Sequence, residues 1–120
     1  MKRLLLPREV APLQLCSDRT VRRRIDAGEL RIVQLTPQIR RVESSEPIKI
    51  STHVLSSRAV ARLLRLHFYT VEAWAKRGVL PARRLRGQWA FRRTVLEAWI
   101  EERTSGLWPV SVPKKREIQQ

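Results

Sequence analysis

The stretch YTVEAWAKRGVLPARRLRGQWAFRRTVLEAWI, residues 69–100, changes its periodicity twice, and those changes decide the fold. Up to Arg77 the spacing is helical, with Val71 and Ala75 on one side and Gly78 suited to a left-handed cap. PARRLRGQWAFRR, residues 81–93, reads as two short strands around an Arg86-Gly87 turn. TVLEAWIEER, residues 94–103, returns to helical spacing, with Thr94 as the expected cap and Val95, Leu96, Trp99 and Ile100 inward. On the N-terminal side, Ser56-Ser57 can cap a helix whose Val60, Leu63 and Leu64 share a face, and a turn at Leu66-His67 leads into the opening stretch.

Helix, tight turn, helix, hairpin, helix is the order of a winged helix-turn-helix unit. The chain carries that pattern twice. At an offset of fifty residues, Leu5, Arg8, Val10, Ala11, Leu13, Thr20, Val21, Gly28 and Leu30 fall on Leu55, Arg58, Val60, Ala61, Leu63, Thr70, Val71, Gly78 and Leu80 without a gap. The expected fold is therefore mainly α with small β-hairpins, as tandem winged helix-turn-helix units. Unit one spans residues 1–44, a linker 45–53, unit two 54–104, and a basic, disordered tail 105–120. Unit one departs from unit two at Pro12, inside its first helix, and by having no third helix after its hairpin, so its core is expected to lean on unit two.

On a helix over residues 18–26, Arg19, Arg22, Arg23 and Asp26 share one face and Val21 and Ile25 lie opposite, with Asp18 as the expected N-cap. The second helix of such a unit enters the DNA major groove, where arginine pairs with guanine N7 and O6 or with phosphate. The expected DNA-binding helix positions are Arg19, Thr20, Arg22 and Arg23 in unit one and Tyr69, Thr70 and Lys76 in unit two. Glu72 and Ala73 replace two of the outward arginines in unit two, and its charge moves to the hairpin. The expected wing positions are Arg40 and Arg41 in unit one, and Arg83, Arg84, Arg86, Arg92 and Arg93 in unit two. Trp74 is expected at the flank of its helix, packed against the hairpin.

The charge balance supports a polyanionic partner. Within 120 residues, 25 Lys+Arg face 11 Asp+Glu, a formal net charge of +14 that self-repels in a chain with little core. Double-stranded DNA is the expected partner, and a membrane is not: no run of about 18 apolar residues occurs. MKRLLLP at the start has too short an apolar run for a signal-peptide core, which points to a cytoplasmic protein. Cys16 is the single cysteine and His53 and His67 have no ligand pattern beside them, so neither a metal nor a cofactor is expected. No nucleophile–base or carboxylate pair is evident, so the chain is not expected to be an enzyme.

VLSSRAVARLLRLHFYTVEAWAKRGVLPARRLRGQWAFRRTVLEAWI, residues 54–100, resembles the winged helix-turn-helix of the excisionase and MerR-like DNA-binding families. REVAPLQLCSDRTVRRRIDAGEL, residues 8–30, resembles it through two helices and part of the wing. The resemblance implies major-groove contacts from Arg19, Arg22 and Arg23 and wing contacts to the minor groove from Arg83, Arg84 and Arg86. Glu72 and Ala73 depart from a basic reading helix. Members of these families include bacterial and phage or mobile-element excisionases and small transcription regulators. The leading expectation is a sequence-specific architectural DNA-binding protein, an excisionase-like recombination directionality factor. It would bind tandem sites, bend DNA, assist an integrase, and self-associate cooperatively on DNA. A small transcription regulator of the same fold is the second expectation, and a protein-interaction adaptor using Tyr69 and Trp108 the third.

Overall fold

Leu4 and Leu5 are neighbours in sequence and are buried on opposite sides of one strand. That strand, β1 (Lys2–Leu5), is the hinge of the architecture in the computed structural model, which describes residues 1–112. Side chains alternate across a strand, so Leu5 faces the helices α1 (Pro7–Leu13) and α2 (Asp18–Asp26) while Leu4 faces the second half of the chain. The strands β2 (Ile32–Gln34) and β3 (Arg40–Pro47) repeat the division: Ile32 and Val42 join the first core, Val33 the second.

The second half runs β4 (Val54–Ser56), α3 (Ser57–Leu64), α4 (Phe68–Lys76), β5 (Arg83–Leu85), β6 (Gln88–Arg92) and α5 (Arg93–Glu102). Its antiparallel sheet has the order β4-β6-β5, and the first has the order β1-β3-β2 extended by β7 (Thr104–Ser105). Strand, two helices and a two-stranded hairpin thus occur in the same order in each half. The left-handed residues recur as well: Leu15 and Arg65 in the turns between helices, Gly28 and Gly78 after the second helices.

The expectation of a mainly α chain is corrected by this structure. The described residues hold five helices and seven strands in two antiparallel sheets, an α/β arrangement. The opening strands β1 and β4 are too short to show a period. β3 continues through polar Glu43-Ser44-Ser45-Glu46 because β1 supplies backbone partners as far as Pro47. The expected linker therefore begins inside a strand, and Ser44 is fully buried with its hydroxyl donated to the Arg3 carbonyl at 2.8 Å.

The expected disordered tail is also revised where it is described; residues 113–120 lie outside the described residues. Residues 104–112 lie along unit one. β7 pairs with β2, Trp108 donates to the Glu29 carbonyl at 2.9 Å, and Val110 is fully buried with Val10, Val21, Ile25 and Val42. Leu107 and Trp108 stay exposed; backbone hydrogen bonds to Gly28, Glu29 and Arg31 hold the strap, and Val110 alone enters the core. Gly106 allows the approach: its φ is 101°, and a Cβ would collide with the Leu30 carbonyl. Unit one has no third helix among the described residues, and this returning strap contributes Val110 to its core.

Two local expectations shift. Ser17, rather than Asp18, caps α2, its Oγ accepting from the Thr20 N–H at 3.2 Å. α5 starts at Arg93 without a side-chain cap because β6 runs directly into it, so Thr94 does not cap and Val95 is exposed rather than inward.

Candidate nucleic-acid interface

In the second half, Ser56 caps α3 through a 3.2 Å bond to the Ala59 N–H, and Arg65, left-handed at φ 55°, turns the chain. His67 then caps α4, its Nδ1 accepting from the Tyr69 N–H at 3.2 Å. Val60, Leu64, Val71, Trp74 and Ala75 lock the two helices together in the core shared with Phe91, Leu96 and Trp99. Trp74, expected at the flank, is buried, and the Trp99 indole donates to the Val79 carbonyl at 3.0 Å.

A family model described as a helix-turn-helix domain matches residues 54–104. Residues 54–104 are a DNA-binding helix-turn-helix domain. The match spans less than half of the chain, and no curated protein and no solved structure matches.

The helix-turn-helix domain presents a mixed outer surface. Tyr69 is 72% exposed and stacks on His67 with ring centroids 5.2 Å apart. Ala73 and Lys76 are exposed beside it, Thr70 is half-buried, and Glu72 is half-buried and accepts from the Ser57 hydroxyl at 3.3 Å. Glu72 is thus bound to the start of α3 as well as facing outward.

The five wing arginines of this domain do not act together. Strand alternation places Arg84 across from Trp89, its guanidinium 5.0 Å from the ring centroid. Arg86 forms the tip with Gly87. Both have positive φ, 51° and 78°, which is a two-residue type I′ turn matched to the twist of the strands. Arg83 and Arg92 are exposed on the opposite face of the sheet. Arg93 belongs to α5, donates to the Ile50 carbonyl at 3.0 Å and pairs with Glu97, so it pins the preceding loop.

In the first half the basic helix behaves as its periodicity predicts. Val21 and Ile25 are buried, whereas Arg19, Arg22 and Arg23 are exposed and form no ion pair among the described residues. Thr20 is half-buried with its hydroxyl 3.1 Å from that of Ser17. Arg24, at the flank, turns back to the Gln14 side chain at 2.6 Å.

The first wing is used differently. Arg40 pairs with Asp26 at 3.2 Å. Arg41 donates to the carbonyls of Leu64 and Arg65 at 2.9 and 2.8 Å, closing the C-terminal end of α3. Burial draws its pKa below the ordinary arginine value, the Arg65 charge adds to that, and Glu9 opposes it. Arg22, Arg40 and Arg41 nevertheless line one groove together with Arg8, Asp18 and Gln38. Arg8 is an addition to the expected site. The repeat aligns Arg8 with Arg58 at the start of each first helix, but the groove is what brings it to the site. Among the described residues no cluster of His, Cys, Asp and Glu could hold a metal ion, and no helix is long and apolar enough to cross a membrane.

Proposed function

We propose that this chain is a sequence-specific architectural DNA-binding protein, acting as an excisionase-like recombination directionality factor. Both halves serve as winged helix-turn-helix units on tandem sites, DNA is bent to meet them, and an integrase is assisted by the resulting shape. The chain contributes binding and deformation rather than bond chemistry, takes no cofactor, and works in the cytoplasm of a bacterium or as a phage-encoded product. Cooperative self-association on DNA would extend the array.

One observation carries the reading: an outward helix face bearing Arg19, Arg22 and Arg23, free of ion pairs among the described residues and flanked by a groove with Arg8, Arg40 and Arg41. It supports unit one as the base reader, since bidentate arginine contacts to bases are worth about 1–3 kcal/mol of discrimination each. Arg84 and Arg86 on the second wing suit phosphate or minor-groove contact. Packing of Leu4 and Val33 from the first sheet into the second core supports a joint contact of both halves with one duplex, and bending is the further step of the proposal. Bending a 20–30 bp site costs on the order of 1–6 kcal/mol, within reach of the added contacts.

The test is footprinting on DNA flanking the gene, followed by titration of specific and random duplexes at two salt concentrations. With about 6–10 phosphates neutralised, log K is expected to fall with log salt at a slope near −5 to −9. Arg22→Ala or Arg23→Ala should lower affinity for the specific site more than for random DNA. A slope near zero refutes nucleic-acid binding, and full site preference in both arginine variants refutes α2 as the reader. An unbent duplex in the complex removes the architectural role.

A further inference from the structure

The wing sheet of residues 54–104 has a second face whose chemistry does not suit a nucleic acid. Trp89 and Phe91 turn toward the helices, and Leu85, Ala90 and Val54 turn outward between Arg83 and Arg92. Pro81, Ala82 and Val95 complete a shallow groove. Val54 is 52% exposed, Leu85 53% and Val95 41%. The solvated face of an antiparallel sheet is normally polar, so apolar side chains gathered between two arginines on that face stand out from the expected pattern.

Charge selects the occupant. The rim carries Arg83 and Arg92, neither has an ion-pair partner among the described residues, and no carboxylate lines the groove. A second copy would bring the same arginines against a chain of net charge +14, so self-pairing through this face is opposed. A DNA backbone would satisfy the rim and leave the apolar floor wet.

We propose that this groove docks an acidic protein segment whose apolar side chains fill the floor between Val54, Leu85 and Val95 and whose carboxylates pair with Arg83 and Arg92. β5 is an edge strand bordering the groove, so an extended segment finds backbone partners there as well. The wing arginines are thereby divided, with Arg84 and Arg86 left for DNA and Arg83 and Arg92 assigned to a protein.

The experiment titrates the full chain with a short fluorescein-labelled peptide of alternating leucine and glutamate, and with a matched peptide carrying serine for leucine. Saturable binding of the leucine peptide is expected, with Leu85→Ser and Val54→Ser each weakening it about tenfold. The paired change Arg83→Ser, Arg92→Ser should weaken it further and reduce its salt dependence. Both apolar positions are about half exposed, so melting curves should stay unchanged. A DNA titration of the same variants separates this site from the nucleic-acid interface, and unchanged DNA affinity for Leu85→Ser is expected. Equal binding of the serine peptide, or no effect of the substitutions, overturns the proposal. So does a loss of DNA affinity in Leu85→Ser, which would assign the groove to DNA. Self-association abolished by Leu85→Ser in sedimentation would assign it to a second copy and overturn it equally.

Discussion

Leu15 holds its backbone in the left-handed region, φ 52°, with 93% of its surface exposed. An L-residue in that region costs about 1–2 kcal/mol, and Leu15 recovers almost nothing by burial. Leu15→Gly is expected to stabilise the protein by about 0.5–1 kcal/mol, the relief exceeding the extra chain entropy that glycine loses. A raised urea midpoint checks it. Arg65, at the matching place in the second half, pairs with Glu9 at 2.7 Å, so Arg65→Gly should not show that gain. Glu9 makes a second prediction. Burial opposes its ionisation, but the Leu6 N–H at 2.7 Å and the Arg65 guanidinium outweigh that and hold its pKa below the ordinary value of 4.5. The folded value is the lower one. The stabilisation is therefore fully present above the unfolded value and is lost as pH falls through the folded one. Melts across the acid range should show wild type and Glu9→Gln converging as pH falls, and a constant gap would contradict the assignment.

At the scale of elements, the wing hairpin separates fold from charge. Its type I′ turn needs positive φ at Arg86 and Gly87, and asparagine before glycine meets that need better than arginine. Arg86→Asn is expected to keep or raise stability while weakening specific and random DNA alike and reducing the salt slope by about 1. Loss of site preference instead would make the tip a base reader. The helix α2 is the counterpart: Val21 and Ile25 anchor it, and its arginines are free to change without loss of fold.

For the whole molecule, one sheet serves two cores. Leu4, Val33 and Leu35 pack with unit two, while Leu5, Val42 and the strap residue Val110 close unit one. Unfolding is expected to be one cooperative transition. Burial of a valine side chain is worth about 1.5–3 kcal/mol, and Val110→Ala should forfeit much of that. In a Trp108→Phe background, where the remaining indoles Trp74, Trp89 and Trp99 all belong to the other half, the variant should lower the melting temperature that the indoles report. An unchanged indole transition would show that the halves unfold independently.

Much of the second half could be read directly from the sequence. Helical spacing through Val60, Leu64, Val71 and Ala75, the stop at Gly78, the Arg86-Gly87 turn and the outward Arg19, Arg22 and Arg23 are local patterns, each written within one element. The offset of fifty residues likewise exposed the common element order, whereas Arg8 joined the candidate site only through the groove it lines with Arg22, Arg40 and Arg41. What the chain could not declare locally was who its neighbours are. β1 and β4 have too few residues to show a period, and the polar run of β3 is a strand because another strand's backbone lies beside it. Arg41 and Arg93 look like wing charges until the fold places carbonyls of Leu64, Arg65 and Ile50 against them. Val110 looks like part of a loose tail until the missing third helix of unit one leaves it a core to enter. Residue type and spacing fixed the units and their basic surfaces. Which arginines remain free, and which apolar residues are shared, depended on contacts between residues distant in sequence, which only the tertiary structure supplies.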